Sequence, residues 1–262
     1  MSHPDGTIHH GRDGRLYLVR IDRPTKLNGF TPKMMSELSA AYTAFEADAE
    51  AHVMLVHAEG PHFTAGLDLP RIAEHLGRRN GLFPPGAVDP FGLRAPVRKK
   101  PAVFAVQGIC YTLGIELMLA ADVVIAAENC RFAQLEVKRG IMATGGATLR
   151  MVERAGYGNA MRYLLTGDEF DAPTALRFGF VQEVVPTGRE FDRAKEIALK
   201  IADQAPLANA ATIASARQAL HEGPDAAIAA FEDIQIGLRA SADFQEGVRS
   251  FVEKRSAKFQ GR

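Results

Sequence analysis

Short apolar runs with strand character alternate with helical periodicity from the N-terminus to Val185. The strand-like runs that follow the first helix occupy residues 53–57, 101–106 and 123–127. A helix is predicted over 112–121, between the last two runs. Strands that alternate with helices indicate an α/β protein built in layers. After Val185 only helices are predicted, over residues 188–204, 206–222, 224–239 and 242–255. The chain should therefore form an α/β body with a helical C-terminal quarter.

Two local signals define the start of the chain. The dipeptide Asp13-Gly14 favours a tight turn, and the flanking runs 7–10 and 15–21 should pair across it as a β-hairpin. Thr31-Pro32 supplies an N-cap followed by a proline at the first helical position, and apolar residues then recur at helical spacing. The sequence therefore predicts an amphipathic helix over 32–49.

The segment 70–95 differs from its surroundings, because it mixes glycine, proline and charge with scattered aromatic and aliphatic residues. Its apolar members are Leu76, Leu82, Phe83 and Phe91. A loop this long inside a compact domain is uncommon and is usually functional or mobile.

Charge and composition exclude several classes of partner. The 31 Lys and Arg residues balance the 31 Asp and Glu residues, and the longest basic run is the three residues Arg98–Lys100, so neither nucleic acid nor an anionic membrane is an expected partner. The most apolar segment, 113–127, contains two carboxylates and is shorter than the roughly 20 residues of a membrane span. The polar N-terminus lacks the apolar stretch of a signal peptide. These features predict a cytoplasmic protein.

The cysteines and histidines offer no pattern for chemistry. Cys110 and Cys130 show no disulfide or metal spacing and should be buried, inert thiols. His9, His10, His57 and His62 lack the partners of a triad or metal site and should be structural or solvated. There is also no G-x-G-x-x-G turn for a flavin or nicotinamide. No metal or separate cofactor is expected.

Two carboxylates are candidates for proton transfer. Glu116 lies in the first turn of a helix that follows two glycines, where unpaired N–H groups and the helix dipole favour a developing anion. Its position is equally explained by that dipole alone, but its apolar neighbours predict partial burial and a raised pKa. Glu136 by itself has the pattern of a surface carboxylate beside Lys138 and Arg139.

Five segments together resemble the enoyl-CoA hydratase/isomerase (crotonase) family. Residues 21–28 resemble its early R-P-x-K-x-N motif, and 63–69 its A-G-x-D-[IL] signature. Residues 108–122 resemble its glycine-rich turn and E-L helix start, and 131–136 the strand before its second glutamate. Residues 251–255 resemble its F-x-E-K-R ending. These motifs occur in the family's order over nearly the whole chain, and the ordered set is more specific than any single motif.

The resemblance implies a crotonase-like (ClpP-like) α/β fold, a right-handed spiral of ββα units followed by a helical region. On this basis residues 1–187 are predicted to form the spiral core and 188–262 the helical trimerisation region. Members of the family assemble as trimers or dimers of trimers, so a homotrimer or hexamer is expected.

The resemblance also implies chemistry on a CoA thioester, with CoA entering as part of the substrate. Backbone N–H groups, by position those of Leu67 and Leu113, would stabilise the thioester enolate. Glu116 would orient and deprotonate water, and Glu136 would supply the α-proton. Residues of the same motifs would bind substrate or CoA, namely Lys26, Ala65, Gly66, Asp68, Leu69, Arg71 and Gly114. The aromatic residues of 70–95 would help to line the acyl site.

Three functional hypotheses follow from this resemblance. Because both glutamates are present, hydration of a 2-enoyl-CoA or the reverse dehydration is preferred. The family's run of glycines is replaced here by Thr112-Leu113-Gly114, which should crowd the acyl pocket. That departure keeps open another family reaction, such as isomerisation, carbon–carbon bond hydrolysis or decarboxylation. A non-catalytic binding or RNA-associated relative is the third alternative, opposed by the neutral charge and both glutamates.

Overall fold

The computed structural model describes residues 3–75 and 83–262, and its first element is the predicted hairpin. Strands β1 (Thr7–Asp13) and β2 (Leu16–Asp22) pair antiparallel with Asp13 opposite Leu16. Gly14 adopts a φ of 61°, the left-handed conformation that a tight hairpin turn requires. The turn prediction is confirmed.

Helix α1 (Pro32–Ala47) begins where the sequence predicts. The Thr31 hydroxyl accepts a hydrogen bond from the Met34 N–H, and Pro32 occupies the first turn. The helix buries its apolar face, including Leu38 and Phe45, against the sheet. It ends two residues before the predicted boundary, because Asp48 adopts an extended conformation.

The remaining strands fall into two sheets. Four of them extend the hairpin, namely β3 (Val53–Ala58), β4 (Ala102–Val106), β6 (Val123–Ala127) and β9 (Glu183–Val185). The large sheet has the order β1-β2-β3-β4-β6-β9 and is parallel from β2 onward. A smaller sheet contains β5 (Ile109–Tyr111), β7 (Arg131–Ala133) and β8 (Phe170–Asp171) in that order.

Consecutive strands alternate between the two sheets before each helix. The chain passes from β4 in the large sheet to β5 in the small one and then enters helix α3 (Leu113–Ala120). It repeats this course through β6 and β7 before helix α4 (Ala147–Ala155). Gly108 makes the first of these turns with a φ of 55°, and a Cβ there would overlap the Pro61 carbonyl oxygen. The predicted α/β fold of ββα units is confirmed.

The remaining helices within the α/β body are short, and after β9 the chain forms only helices. They are α2 (Leu69–Ile72), α5 (Tyr157–Thr166), α6 (Ala172–Arg177), α7 (Glu190–Ala202), α8 (Pro206–Glu222), α9 (Pro224–Ala229), α10 (Phe231–Arg239) and α11 (Ala242–Glu253). The predicted helix over 224–239 is interrupted at Ala230, which separates α9 from α10. No helix in the described part of the chain has both the length and the apolarity needed to cross a bilayer.

The segment predicted as one loop over 70–95 begins as helix. Asp68 precedes α2, and Pro70 fits its first turn because the ring fixes a helical φ. Phe83 and Phe91 pack against each other with ring centroids 5.9 Å apart. Leu76 and Leu82 of this prediction lie outside the described residues.

Helix α7 closes the outer face of the large sheet. Ala194, Ala198 and Ala202 recur on one face of α7 and pack on Leu55 and Val103 of the sheet. Their small side chains let the helix approach the strands closely. The helical region predicted from residue 188 thus begins with a helix that contacts the α/β body, and the division at 187 stays a prediction.

His57 gives the fold a pH-dependent element. Its ring packs on Phe191 at 4.6 Å between centroids, and burial, aided by the charge of Arg20, lowers its pKa to about 4. The unfolded chain therefore takes up a proton on this histidine between about pH 6.5 and pH 4, whereas the folded chain does not. Folding stability should fall by up to ~3 kcal/mol as pH drops through this window.

Urea unfolding between pH 7 and pH 4.5 measures this effect. In a His57→Phe variant, the free energy of unfolding should lose part of its dependence on pH, while the exposed-residue control His221→Gln keeps the wild-type slope. An identical slope in wild type and His57→Phe would show that another group controls acid stability.

Candidate active site

Glu116 projects from the first turn of α3 into the protein interior. Its side chain is 5% exposed. The backbone N–H of Gly145 donates to Glu116 Oε1 at 2.6 Å, and that of Ala147, at the start of α4, donates to the same oxygen at 3.3 Å. Two successive ββα units thus meet at this carboxylate, and the peptide groups before α4 hold it in one orientation.

The environment of Glu116 raises its pKa to about 7. Burial is the largest cause, because it disfavours the charged form, and the negative charge of Glu136 raises the pKa further. Hydrogen bonds from Ala147 and Gly145 and the positive charge of Arg150 act in the opposite direction. The predicted burial and raised pKa of Glu116 are confirmed, and the group can exchange protons near neutrality.

Glu136 lies at the start of a short 3-10 turn, Glu136–Arg139, which is separated from the end of β7 by two residues. It is half-buried rather than exposed as its local pattern predicts, and burial raises its pKa. The negative charge of Glu136 acts on Glu116, so the two predicted carboxylates lie within electrostatic reach of each other. Groups coupled in this way titrate as a pair.

Gln134 is a neighbour of Glu136 whose role has no signal in the sequence. It is 1% exposed and lies between β7 and the 3-10 turn. When its amide nitrogen is directed at Glu136, as the surrounding hydrogen bonds require, it donates to Oε2 at 3.0 Å and to Oε1 at 3.2 Å. Its role is indicated by a buried polar side chain beside a carboxylate, and only the folded structure shows that arrangement.

The two segments that carry the predicted N–H donors lie against each other. Gly66 has a φ of 99°, and a Cβ at this position would overlap the hydroxyl of Thr112, the residue before α3. The turn is held because Phe30 N–H donates to the Gly66 carbonyl at 2.8 Å. Within the described residues, the N–H groups of Leu67 and Leu113 donate to no protein acceptor.

The R-P-x-K-x-N segment (residues 21–28) stabilises the turn at Gly66 through hydrogen bonds. Buried Arg23 donates through Nη1 to Asp68 Oδ2 and to the Gly29 carbonyl, both at 2.8 Å. The Asn28 amide donates to the carbonyls of Glu59 and His62 at 2.9 and 2.8 Å. These contacts connect the R-P-x-K-x-N segment to both ends of the turn.

The other predicted binding residues take varied positions. Lys26 is exposed at the end of a 3-10 turn, whereas the Arg71 guanidinium contacts Asp5 and lies 3.8 Å from Asp68 Oδ2. Their contact with substrate or CoA stays a prediction.

Three further predicted residues support the local backbone. Ala65 N–H donates to the Leu27 carbonyl at 2.9 Å, and Leu69 begins α2. Gly114 lies so close to Thr64 that a Cβ would stand 2.7 Å from its methyl carbon.

Phe91 brings the aromatic segment to the carboxylate. A Cβ built on Gly145 would lie 2.6 Å from Glu116 Oε2 and 3.0 Å from Phe91 Cδ1, so all three groups meet at one point. Arg150 Nη2 donates to the Phe91 carbonyl at 2.7 Å and fixes this segment to α4. A role for Phe83 and Phe91 in lining an acyl site stays a prediction.

The thiols and histidines lie outside this chemistry. Cys110 and Cys130 are free and buried, and burial raises the pKa of both, that of Cys130 to about 12, which confirms inert thiols. His62 Nδ1 accepts from the Ile109 N–H at 3.2 Å and so has a structural partner. Among residues 3–75 and 83–262, no group of three or more His, Cys, Asp or Glu is placed to hold a metal ion.

The two-sheet ββα architecture places the buried Glu116 carboxylate in the same helical turn as Leu113, and Gly66, the residue before Leu67, lies against the start of that helix. The family model described as enoyl-CoA hydratase/isomerase matches residues 11–262. The chain belongs to the enoyl-CoA hydratase/isomerase family and is therefore an enzyme of the crotonase type.

Three relatives show how far the similarity extends. A probable enoyl-CoA hydratase/isomerase from Mycobacterium abscessus has 44% identity and a TM-score of 0.94, covering 98% of this chain and 99% of that chain. Enoyl-CoA hydratase EchA19 of Mycobacterium tuberculosis is 30% identical, over 100% of this chain and 98% of its own. The 2,3-dehydroadipyl-CoA hydratase of Escherichia coli is 30% identical, over 96% and 97%.

Proposed function

We propose that the chain is an enoyl-CoA hydratase, which adds water across the 2,3-double bond of a 2-enoyl-CoA thioester or catalyses the reverse dehydration. The observation that carries this proposal is a buried carboxylate, Glu116, held by the Gly145 N–H and with the half-buried carboxylate of Glu136 within electrostatic reach. Addition of water needs one group to accept a proton and another to deliver one, and paired carboxylates of raised pKa suit both tasks.

The proposed reaction uses the two backbone N–H groups and the two carboxylates. The N–H groups of Leu67 and Leu113 receive the thioester oxygen, which gains negative charge as the enolate forms. Ionised Glu116 takes a proton from a water molecule while the water oxygen attacks C3. Protonated Glu136 delivers a proton to C2. Proton exchange with solvent then restores the starting state of the pair. CoA takes part only as the thioester portion of the substrate, and its C–S bond stays intact, so the proposed reaction requires no separate cofactor.

A different crotonase reaction is the second candidate. The Thr112 side chain occupies the space beside Gly66, at the end of the site where the thioester would bind. This crowding favours a substrate or geometry that differs from simple hydration, such as double-bond isomerisation or carbon–carbon bond cleavage. An assay that identifies the product distinguishes the candidates.

We also infer assembly as a homotrimer or a dimer of trimers. Large apolar side chains stand exposed on the last two helices, among them Ile236 of α10 and Phe251 and Val252 of α11. Phe251 is 85% exposed, and an exposed apolar group of this kind favours burial in an interface. A cytoplasmic location is part of the same proposal, since two free buried thiols suit a reducing compartment.

The first test is the fate of crotonyl-CoA with purified protein. Hydration should abolish the absorbance of the conjugated thioester and give 3-hydroxybutyryl-CoA, identified by mass and retention time. Conjugated thioesters of longer and branched chains are run beside it. Formation of an isomer, a free acid or a decarboxylated thioester, with no hydrated product from any chain length, would replace hydration by the second candidate.

A further inference from the structure

Thr112 holds a backbone conformation that threonine rarely adopts. Its φ is 47° and its ψ is −114°, a region open to glycine but strained for a β-branched residue. Hydrogen bonds fix it on both sides, from Thr112 N–H to the Ala133 carbonyl at 2.9 Å and from Glu116 N–H to the Thr112 carbonyl at 3.2 Å. The strain is therefore imposed at the point where the chain enters α3.

The side chain of Thr112 lies between the two segments that carry the donor N–H groups. A Cβ at Gly66 would overlap Thr112 Oγ1 and would stand 3.2 Å from Thr112 Cβ. Gly66 precedes Leu67, and Thr112 precedes Leu113. The hydroxyl is thus next to both peptide groups whose N–H would receive the thioester oxygen.

The hydroxyl also has unused hydrogen-bonding capacity. Thr112 is half-buried, and within the described chain its Oγ1 makes no protein hydrogen bond but is not closed off from solvent. Nearby Thr64, by contrast, uses its own hydroxyl to bond to Asn28 and Gly66. A hydroxyl that is accessible yet makes no protein hydrogen bond remains able to donate to a ligand.

We propose that the Thr112 hydroxyl is a third hydrogen-bond donor to the thioester oxygen, beside the N–H groups of Leu67 and Leu113. The proposal rests on the proposed binding of an acyl-CoA thioester at this site. The oxygen gains negative charge in the enolate, so a hydroxyl aimed at it strengthens its hydrogen bond as the reaction proceeds. Glycine would adopt this backbone without strain but would supply no donor.

Three substitutions separate the hydroxyl from the shape of the residue. Thr112→Val keeps the branched shape and removes the donor, and kcat should fall on the order of 30-fold with little change in KM. Thr112→Ser keeps the hydroxyl and should stay within about threefold of wild type. Thr112→Gly removes donor and strain together, so kcat should fall while the melting temperature stays level or rises.

A spectroscopic measurement makes the test independent of turnover. A conjugated aromatic enoyl thioester of CoA absorbs at longer wavelength when donors polarise its carbonyl, so its bound spectrum reports the donors directly. The red shift on binding should be smaller with Thr112→Val than with wild type or Thr112→Ser.

The outcomes distinguish this proposal from the proposed function. Equal rates and equal red shifts in wild type and Thr112→Val would overturn the third donor while leaving hydration intact. A red shift that depends on the hydroxyl, in a protein that hydrates no thioester, would support the donor and reject the hydratase. Equal losses in Thr112→Val and Thr112→Ser would assign the residue a role in packing and overturn the proposal.

Discussion

Replacement of Glu116 by glutamine lowers kcat/KM for hydration by about 10²- to 10⁴-fold, the range for loss of a general acid or base. Glutamine has nearly the same shape and can still accept the hydrogen bond from Gly145, so the pocket should remain closed around it. It cannot take a proton from water. The same loss is expected for Glu136→Gln, because the α-carbon would lack its proton donor.

The pH dependence of activity connects this loss to the burial of Glu116. Its pKa is raised to about 7, so the ionised form that serves as base becomes populated as pH rises through 7. Wild-type kcat/KM should therefore rise as Glu116 ionises and fall again at higher pH, once Glu136 has lost the proton that it delivers to C2. The pKa of Glu136 is also raised, so the measured values belong to the coupled pair. Glu116→Gln should remove the rising limb.

A matched control is Glu153→Gln, which neutralises an exposed carboxylate on the neighbouring helix α4. It should leave kcat/KM within about twofold of wild type, as surface substitutions usually do. Full activity in either site variant would exclude that carboxylate from the reaction. Loss with Glu136→Gln but not with Glu116→Gln would favour a one-carboxylate reaction such as isomerisation.

The sequence predicts those turns, caps and helices whose conformation depends on residues close together in the chain. The Asp13-Gly14 turn and the Thr31-Pro32 cap each specify a backbone geometry within a few residues, and both occur as predicted. The helix-only tail follows from apolar periodicity in the same way. By contrast, β5 and β7 have three residues each, and β8 has two. Strands this short carry no periodicity, and only the neighbouring chain defines them.

The same distinction applies to the site. Glu116 could be identified because its apolar neighbours along the helix predict burial. The burial of Glu136 depends on contacts from elsewhere in the fold, and its own neighbours, Lys138 and Arg139, suggest an exposed surface. Only the family resemblance pointed to it. Gln134 and Gly145 carry no local signal at all, since their importance lies in contacts with the two carboxylates.

Gly145→Ala should reduce kcat/KM by about 10²-fold, because it displaces the Glu116 carboxylate without altering its chemistry. The added Cβ would lie 2.6 Å from Glu116 Oε2 and 2.8 Å from Cδ, closer than packed atoms approach. Its φ lies outside the left-handed region, so the alanine backbone itself carries no penalty there. The carboxylate must move, and overpacking of this kind costs about 1–3 kcal/mol of stability.

Gly158→Ala is the control, because a Cβ at Gly158 in α5 meets no atom within 4 Å. Activity should be unchanged, with stability level or slightly improved.

A double variant tests whether Gly145→Ala lowers activity by displacing Glu116. If Gly145→Ala acts through the position of Glu116, adding it to Glu116→Gln should reduce kcat/KM little further. Multiplicative losses in the double variant would instead place the damage in the acyl site beside Phe91, where the same Cβ would stand 3.0 Å from the ring.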